Sequence, residues 1–221
     1  MLSRAQEKLI KSVQTKKGRE TSGLVLVEGE KLIAEAGARV EFRFDENDSP
    51  RFAELVTTVT PQMKAALARL PVASLKDVLK KKTVVVLDRV QDPGNLGTIF
   101  RSALAFDAGL VLIECADVGN PKVIRGSAGA VFHTPWTEMG RAEAETWLAK
   151  CEKLLYRLEL APDAIALSDL PDQPILIIAG SEGQGIVLDV KAPSVKIPHH
   201  PKLESLNVAT AVSIALYERN K

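Results

Sequence analysis

Apolar positions change period several times within the first 70 residues. Leu2, Ala5, Leu9, Ile10 and Val13 recur at helical spacing, which predicts a helix over 2–14, with Gly18 closing it. Leu24-Val25-Leu26-Val27 is a short unbroken apolar run and predicts a buried strand. Glu28-Gly29-Glu30 leads into a helix over 31–36, and the alternation from Val40 to Phe44 predicts a second strand. A helix is expected over 51–56 and a short strand at Thr57-Thr58-Val59. Pro61 suits a first helical turn, so 62–70 are expected to be helical. Residues 1–70 thus form a small α/β domain, and 71–82, with Pro71 and a lysine cluster, are the linker.

The remainder, 83–221, has a different texture. Thr83-Val84-Val85-Val86-Leu87 is β-branched and apolar throughout, as expected of a strand covered on both faces. Helices are expected over 97–106, 123–132, 142–153 and 208–217, and strands over 110–113, 164–167, 174–179 and 195–197. This alternation predicts a mostly parallel sheet with helices on both faces. A chain of 221 residues can bury the core that two such units need.

No apolar run approaches the roughly 18 to 20 residues that span a bilayer, so no membrane partner is expected. The N-terminus enters a charged helical pattern directly, and Cys115 and Cys151 form no CxxC pair. Reduced thiols and a cytoplasmic location follow as expectations. Lys and Arg number 29 against 28 Asp and Glu, so only local clustering can point to nucleic acid. Residues 1–19 carry Arg4, Lys8, Lys11, Lys16, Lys17 and Arg19 against Glu7 alone, and Lys76 and Lys80-Lys81-Lys82 precede the first strong strand. Such runs are most often solvated helix faces, so they support a nucleic-acid reading without carrying it.

Three segments follow predicted strands, where open parallel sheets place their ligands. In Asp92-Pro93-Gly94-Asn95-Leu96-Gly97-Thr98-Ile99-Phe100-Arg101, a tight turn with Asn95 as helix cap explains the first part. Nothing in a turn requires Arg101, six residues beyond Asn95, which suits an anion or a developing oxyanion. Gly180-Ser181-Glu182-Gly183-Gln184-Gly185 is either a plain glycine turn or a loop that lets backbone approach a ligand. Its single acid would repel phosphate and favours a cationic or donor-rich ligand. In Ile197-Pro198-His199-His200-Pro201 and Glu204-Ser205-Leu206-Asn207-Val208, Ser205 or Asn207 either caps the last helix or offers polar groups to a ligand. With only His133 elsewhere, the adjacent histidines are a poor metal set, and no metal is expected.

In order and spacing, Asn95-x-Gly97-x-x-x-Arg101, Gly180-x-Glu182-Gly183-x-Gly185, Ile197-Pro198 and Glu204-Ser205-Leu206-Asn207-Val208 resemble the SpoU (TrmH-like) branch of the SPOUT RNA methyltransferases. Arg125-Gly126-Ser127-Ala128-Gly129-Ala130 is similar to a further helix start of that family, and the resemblance covers 83–218. Gly18-Arg19 and Leu24 to Gly29 are similar to the small substrate-binding domain found in many members. Three positions depart from the family's pattern: His199 and Pro201 stand in place of its Met-x-Gly, and Ala209 where Ser is common.

The resemblance implies an α/β SPOUT domain with a deep trefoil knot at its C-terminal end, a small α/β substrate-binding domain before it, and a homodimer. It implies S-adenosylmethionine as cofactor and structured RNA as substrate, ribosomal RNA ahead of transfer RNA, methylated at a ribose 2′-hydroxyl. It also implies that Gly180, Ser181, Gly185, Ile197, Pro198 and Leu206 hold the cofactor, while Asn95, Arg101, Glu182, Ser205 and Asn207 serve catalysis. Val208, Val212, Ala215 and Leu216 suit the dimer contact or an ordinary core helix. A nicotinamide-dependent oxidoreductase using Glu204 is disfavoured, since only 36 residues follow Gly185, too few for a dinucleotide fold. A catalytically silent RNA-binding protein on the same fold is the other alternative; the shared presence of Asn95, Arg101, Ser205 and Asn207 argues for catalysis.

Overall fold

The computed structural model describes residues 1–221 except Val59, Pro61 and Glu182. Helix α1 (Arg4–Val13) starts at Ser3, whose hydroxyl accepts from the Gln6 amide while the Gln6 side chain accepts from Ser3. Helix α2 (Lys16–Ser22) is capped by the Thr15 hydroxyl, which accepts from the Gly18 amide; Gly18 therefore lies inside a helix and terminates none. Its stop is Gly23, at φ 67°.

Strand β1 (Val25–Glu28), helix α3 (Glu30–Ala36), strand β2 (Val40–Asp45), helix α4 (Phe52–Leu55) and strand β3 (Lys64–Ala68) complete the first unit. Its sheet runs β1-β3-β2, antiparallel throughout. The helix expected over 62–70 is therefore β3. Its alanines and leucine favour a helix locally, but tertiary context overrides that weak preference. Ala65 and Leu67 face the core of Ile10, Leu26 and Phe44, while Ala66 and Ala68 face the second unit. Thr57 and Thr58 form no strand; they hydrogen-bond the Glu28 carboxylate, and Val59 lies outside the described residues.

Residues 71–82 are packed against the second unit. Ala73 donates to the Trp136 carbonyl at 2.8 Å, and Val78, within the helical turn α5 (Leu75–Val78), is fully buried. Strand β4 (Thr83–Asp88), helix α6 (Pro93–Ala105), strand β5 (Gly109–Ile113), helix α7 (Pro121–Gly126), strand β6 (Trp136–Met139) and helix α8 (Arg141–Leu148) follow. Then come strands β7 (Leu154–Leu158), β8 (Ile165–Ala166), β9 (Ile175–Gly180) and β10 (Ser194–Lys196), and helix α9 (Val208–Arg219). The seven strands lie in the order β6-β5-β4-β9-β7-β10-β8, every pair parallel.

Side chains of β4 alternate between layers. Val85 and Leu87 meet α6 and α9, while Val84 and Val86 meet α5 and α8, so helices cover both faces. The single helix expected over 123–132 is instead α7 and a separate 3-10 turn, Ala130–Phe132, because Ala128 and Gly129 take positive φ of 49° and 92°. The helix expected to reach 153 stops at Leu148, where the chain turns back to lay β7 beside β9.

On α9, Val208, Val212, Ala215 and Leu216 are all buried within the chain itself, which is the ordinary core reading of those residues. Leu104 of α6 and Tyr217 of α9 stay exposed. The two units share one apolar core, in which Val25 and Val27 meet Leu96 and Val123. Polar ties flank it: Arg19 to Asp117, Arg125 to Glu28 at 3.3 Å, and His133 to Glu35 at 2.8 Å. Among the described residues, no helix is long and apolar enough to cross a membrane.

Candidate functional site

The three sequence segments leave the C-terminal ends of β4, β9 and β10. On the first, helix α6 begins earlier than expected. Asp92, not Asn95, is its cap, with the Asp92 carboxylate accepting from the Asn95 amide at 2.7 Å and Pro93 in the first turn. The Asn95 side chain turns instead toward α9. Its carbonyl oxygen accepts from the Asn207 amide at 3.0 Å, while the Asn207 oxygen accepts from the amides of Ala209 and Thr210 at 3.0 and 3.2 Å. Asn207 is thus both the cap of α9 and the bridge to the first segment. Gly97 serves packing: a Cβ there would lie 2.8 Å from the Gly126 carbonyl carbon, so its absence lets α6 and α7 touch.

The glycine loop folds back on itself. Gly185 donates to the Ser181 carbonyl at 2.9 Å, and a Cβ on Gly180 would lie 2.1 Å from the Gly185 backbone. Gly185 takes φ 65°, which side-chain-bearing residues rarely adopt. Glu182 lies outside the described residues. Beyond the loop, the fully buried Asp88 at the end of β4 accepts from the amides of Val187 and Leu188 at 2.6 and 2.9 Å. Its other oxygen accepts from Arg141 at 2.9 Å, and Arg141 also pairs with Glu114 at 2.8 Å. The sequence offered one signal for this anchor, an acid ending an otherwise apolar strand.

A cavity of about 200 Å³ opens beside this loop, bordered by Gly180, Ser181, Gly185, Ser205 and Leu206 together with Leu158 and Glu159. A second lobe of about 110 Å³ shares Leu158, Glu159, Ser205 and Leu206 and adds Ile197 and His199. A third space of about 270 Å³ reaches Arg89, Gln91 and Asn95 and shares Ser181 and Val208 with the first. The predicted residues Gly180, Ser181, Gly185, Ile197, Ser205 and Leu206 therefore line adjoining cavities with shared walls, and Asn95 lines the third. Pro198 is exposed and lines none of it. Arg101 is exposed on α6, and among the described residues no carboxylate pairs with it. Six residues at about 100° each put it a third of a turn from Asn95 around the helix.

Glu159 is a site residue that sequence reading missed, because β7 itself was not anticipated. Burial opposes its ionisation, but hydrogen bonds from Arg157 and Ser194 prevail and hold its carboxyl below the usual carboxylate range. Cys115, by contrast, is pushed up to about 11 by burial and is no thiolate at neutral pH. The histidines are otherwise engaged: His199 bonds the Ile197 carbonyl at 2.8 Å, and His200 accepts from the Lys202 amide at 3.2 Å.

Residues 82–217 match the model of the SpoU rRNA methylase family. A tRNA/rRNA methyltransferase from Synechocystis sp., itself uncharacterised, is 35% identical over 176 residues, which are 76% of this chain and 64% of that protein. The 23S rRNA (guanosine(2553)-2′-O)-methyltransferase RlmP of Bacillus subtilis is 31% identical over 94% of this chain and 92% of its own length. The AdoMet-bound rRNA methyltransferase of Sinorhizobium meliloti superposes with a TM-score of 0.85 at 25% identity, covering 99% of this chain and 96% of that one. On sequence, fold and the order of its three segments, the chain belongs to the SpoU rRNA methylase family.

Proposed function

We propose that this chain transfers a methyl group from S-adenosylmethionine to a ribose 2′-hydroxyl of structured RNA, with ribosomal RNA as the substrate class. The observation that carries this reading is the Asn95–Asn207 hydrogen bond, which draws the first and third segments together beside the glycine loop and its cavity. The lining suits that cofactor: aliphatic side chains for an adenine face, backbone at Gly180 and Ser181, and the Glu159 and Glu204 carboxylates, which complement a cation and would repel a polyphosphate. Backbone groups of Gly180, Ser181, Gly185, Ile197 and Leu206 hold it. Bound there, it supplies an electrophilic methyl group on a sulfonium.

The chain's own part is positioning, since displacement at a methyl group requires in-line approach of the ribose oxygen. Asn95, Glu182, Ser205 and Asn207 orient the site. A guanidinium offers hydrogen-bond donors and no acceptor, so Arg101 takes up no proton; it clamps an RNA phosphate and stabilises incipient alkoxide. Its exposure on α6, together with that of Leu104 one turn on and of Tyr217 on α9, favours a homodimer in which these residues meet a second copy. Residues 197–207 and α9 form the threaded part of a trefoil knot, residues 1–70 bind RNA, and the protein works in the cytoplasm. Tritium transfer from labelled cofactor into total RNA tests this: retention in alkali-resistant dinucleotides is expected, and no transfer, or label only on bases, overturns it.

A further inference from the structure

The cofactor cavity contains one charged group whose anchoring leaves a vacant acceptor site. Glu159 lies at the end of β7 where the two lobes meet and lines both. Its Oε1 accepts from Arg157 Nε at 2.8 Å and from Ser194 Oγ at 2.8 Å, while among the described residues Oε2 accepts only from Arg157 Nη2, at 3.2 Å. A carboxylate has about four lone-pair sites, so one on Oε2 stays open. Arg157 is itself fixed, donating to the Val190 carbonyl at 3.1 Å, so the carboxylate has little freedom to turn away. Its side chain is 31% exposed, which leaves it accessible from the cavity. Among the described residues that line the two lobes, the lysine, arginine and histidine side chains that would compete for it are Lys196 and His199, both in the smaller lobe.

Resting on the cofactor reading above, we propose that Glu159 is a cofactor-binding residue whose open Oε2 site accepts a hydrogen bond from a ribose hydroxyl of the adenosyl group. The argument is one of place. Leu158, Leu160 and Leu206 give both lobes apolar walls, Ile197 adds to the smaller one, and among the described residues the one anchored carboxylate of the lining stands at their junction. A nucleoside spanning the two lobes sets its polar middle, the sugar, at that junction and its base against the aliphatic walls. A hydroxyl donating to a carboxylate is a charge-assisted bond, which fixes the sugar and thereby the direction in which the sulfonium points. Without it, the aliphatic walls give little orientation.

Titration calorimetry of the full chain, without RNA, tests this using S-adenosylhomocysteine and its 2′-deoxy and 3′-deoxy analogues. Glu159→Gln should weaken binding of the parent ligand about tenfold to a hundredfold, the range of a lost charged hydrogen bond. One deoxy analogue should bind the unmodified protein correspondingly weakly, yet suffer little further loss in Glu159→Gln. Equal loss for all three ligands overturns the proposal, because the carboxylate then acts through the base or through loop structure. If Glu159→Gln unfolds, Glu159→Asp keeps the charge but withdraws it, and should erase the same hydroxyl preference; a retained preference overturns the proposal. A protein that binds these ligands with the expected pattern yet methylates no RNA would overturn the function proposed above and leave this assignment standing.

Discussion

Replacing Asp88 tests whether the end of β4 holds the site together. The carboxylate is fully buried and accepts three hydrogen bonds, from the amides of Val187 and Leu188 and from Arg141. In Asp88→Asn the shape is kept, and the better of two orientations leaves the carbonyl oxygen toward the two amides. The new NH2 then faces the Arg141 guanidinium, donor against donor, so one charge-assisted bond is lost, at a cost of about 1.5–3 kcal/mol. Arg141 keeps Glu114, which limits the damage. Asp88→Ala strands the Leu188 amide as well and should cost about 3–5 kcal/mol. For a chain of this size the Asn variant should melt about 3–12 °C lower. Urea unfolding followed by far-ultraviolet circular dichroism checks both, with an unchanged slope indicating that the unfolded state is the same. Cofactor-product affinity should fall too, because residues 187–188 close the glycine loop onto the sheet. An Asn variant within about 0.5 kcal/mol of the parent, or an Ala variant no worse than Asn, would refute the anchoring argument.

Three further outcomes follow from the geometry. Gly180→Ala sets a Cβ 2.1 Å from the Gly185 backbone, so the loop must open, and S-adenosylhomocysteine affinity measured by calorimetry should drop at least about tenfold. Arg101→Ala should reduce methyl transfer at least about a hundredfold with cofactor affinity unchanged, and lost binding in the same titration would contradict the role given to it. Cys115, raised from 9.0 to about 11, should react with iodoacetamide near pH 7.5 about a hundredfold more slowly than in the unfolded chain, as mass spectrometry of the labelled peptide can read. Comparable rates before and after unfolding would show that its burial is overstated.

How much was readable beforehand differs between elements for physical reasons. Strands β4 and β9 were legible because a parallel strand buried on both faces must be apolar through its middle, as Val84 to Leu87 and Ile175 to Ala179 are. Helix α9 was legible from Asn207 and the apolar run after it. Strand β3 was not, because Lys64-Ala65-Ala66-Leu67-Ala68 carries helix formers, and its place between two strands is a long-range fact. Strand β7 was hidden by Arg157, whose charge reads as surface but is spent on backbone carbonyls some 30 residues downstream. The same holds for the site. Glycine, Ser/Asn and Arg spacings survive in the sequence, whereas Asp88 and Glu159 matter through partners that only the fold brings near. Even the cap of α6 was decided locally by competition: Asp92 precedes Pro93, and proline suits the first turn, so Asn95 fell inside the helix and its side chain meets Asn207 instead of capping.

The most direct measurement is a nucleotide-resolution map of 2′-O-methylation in ribosomal and transfer RNA from cells with and without this chain. The account predicts one or a few ribose methyl groups in ribosomal RNA that vanish when the chain is deleted and return with the parent sequence but not with Arg101→Ala. Maps that are identical in both strains, or a missing methyl group located on a base, would contradict it.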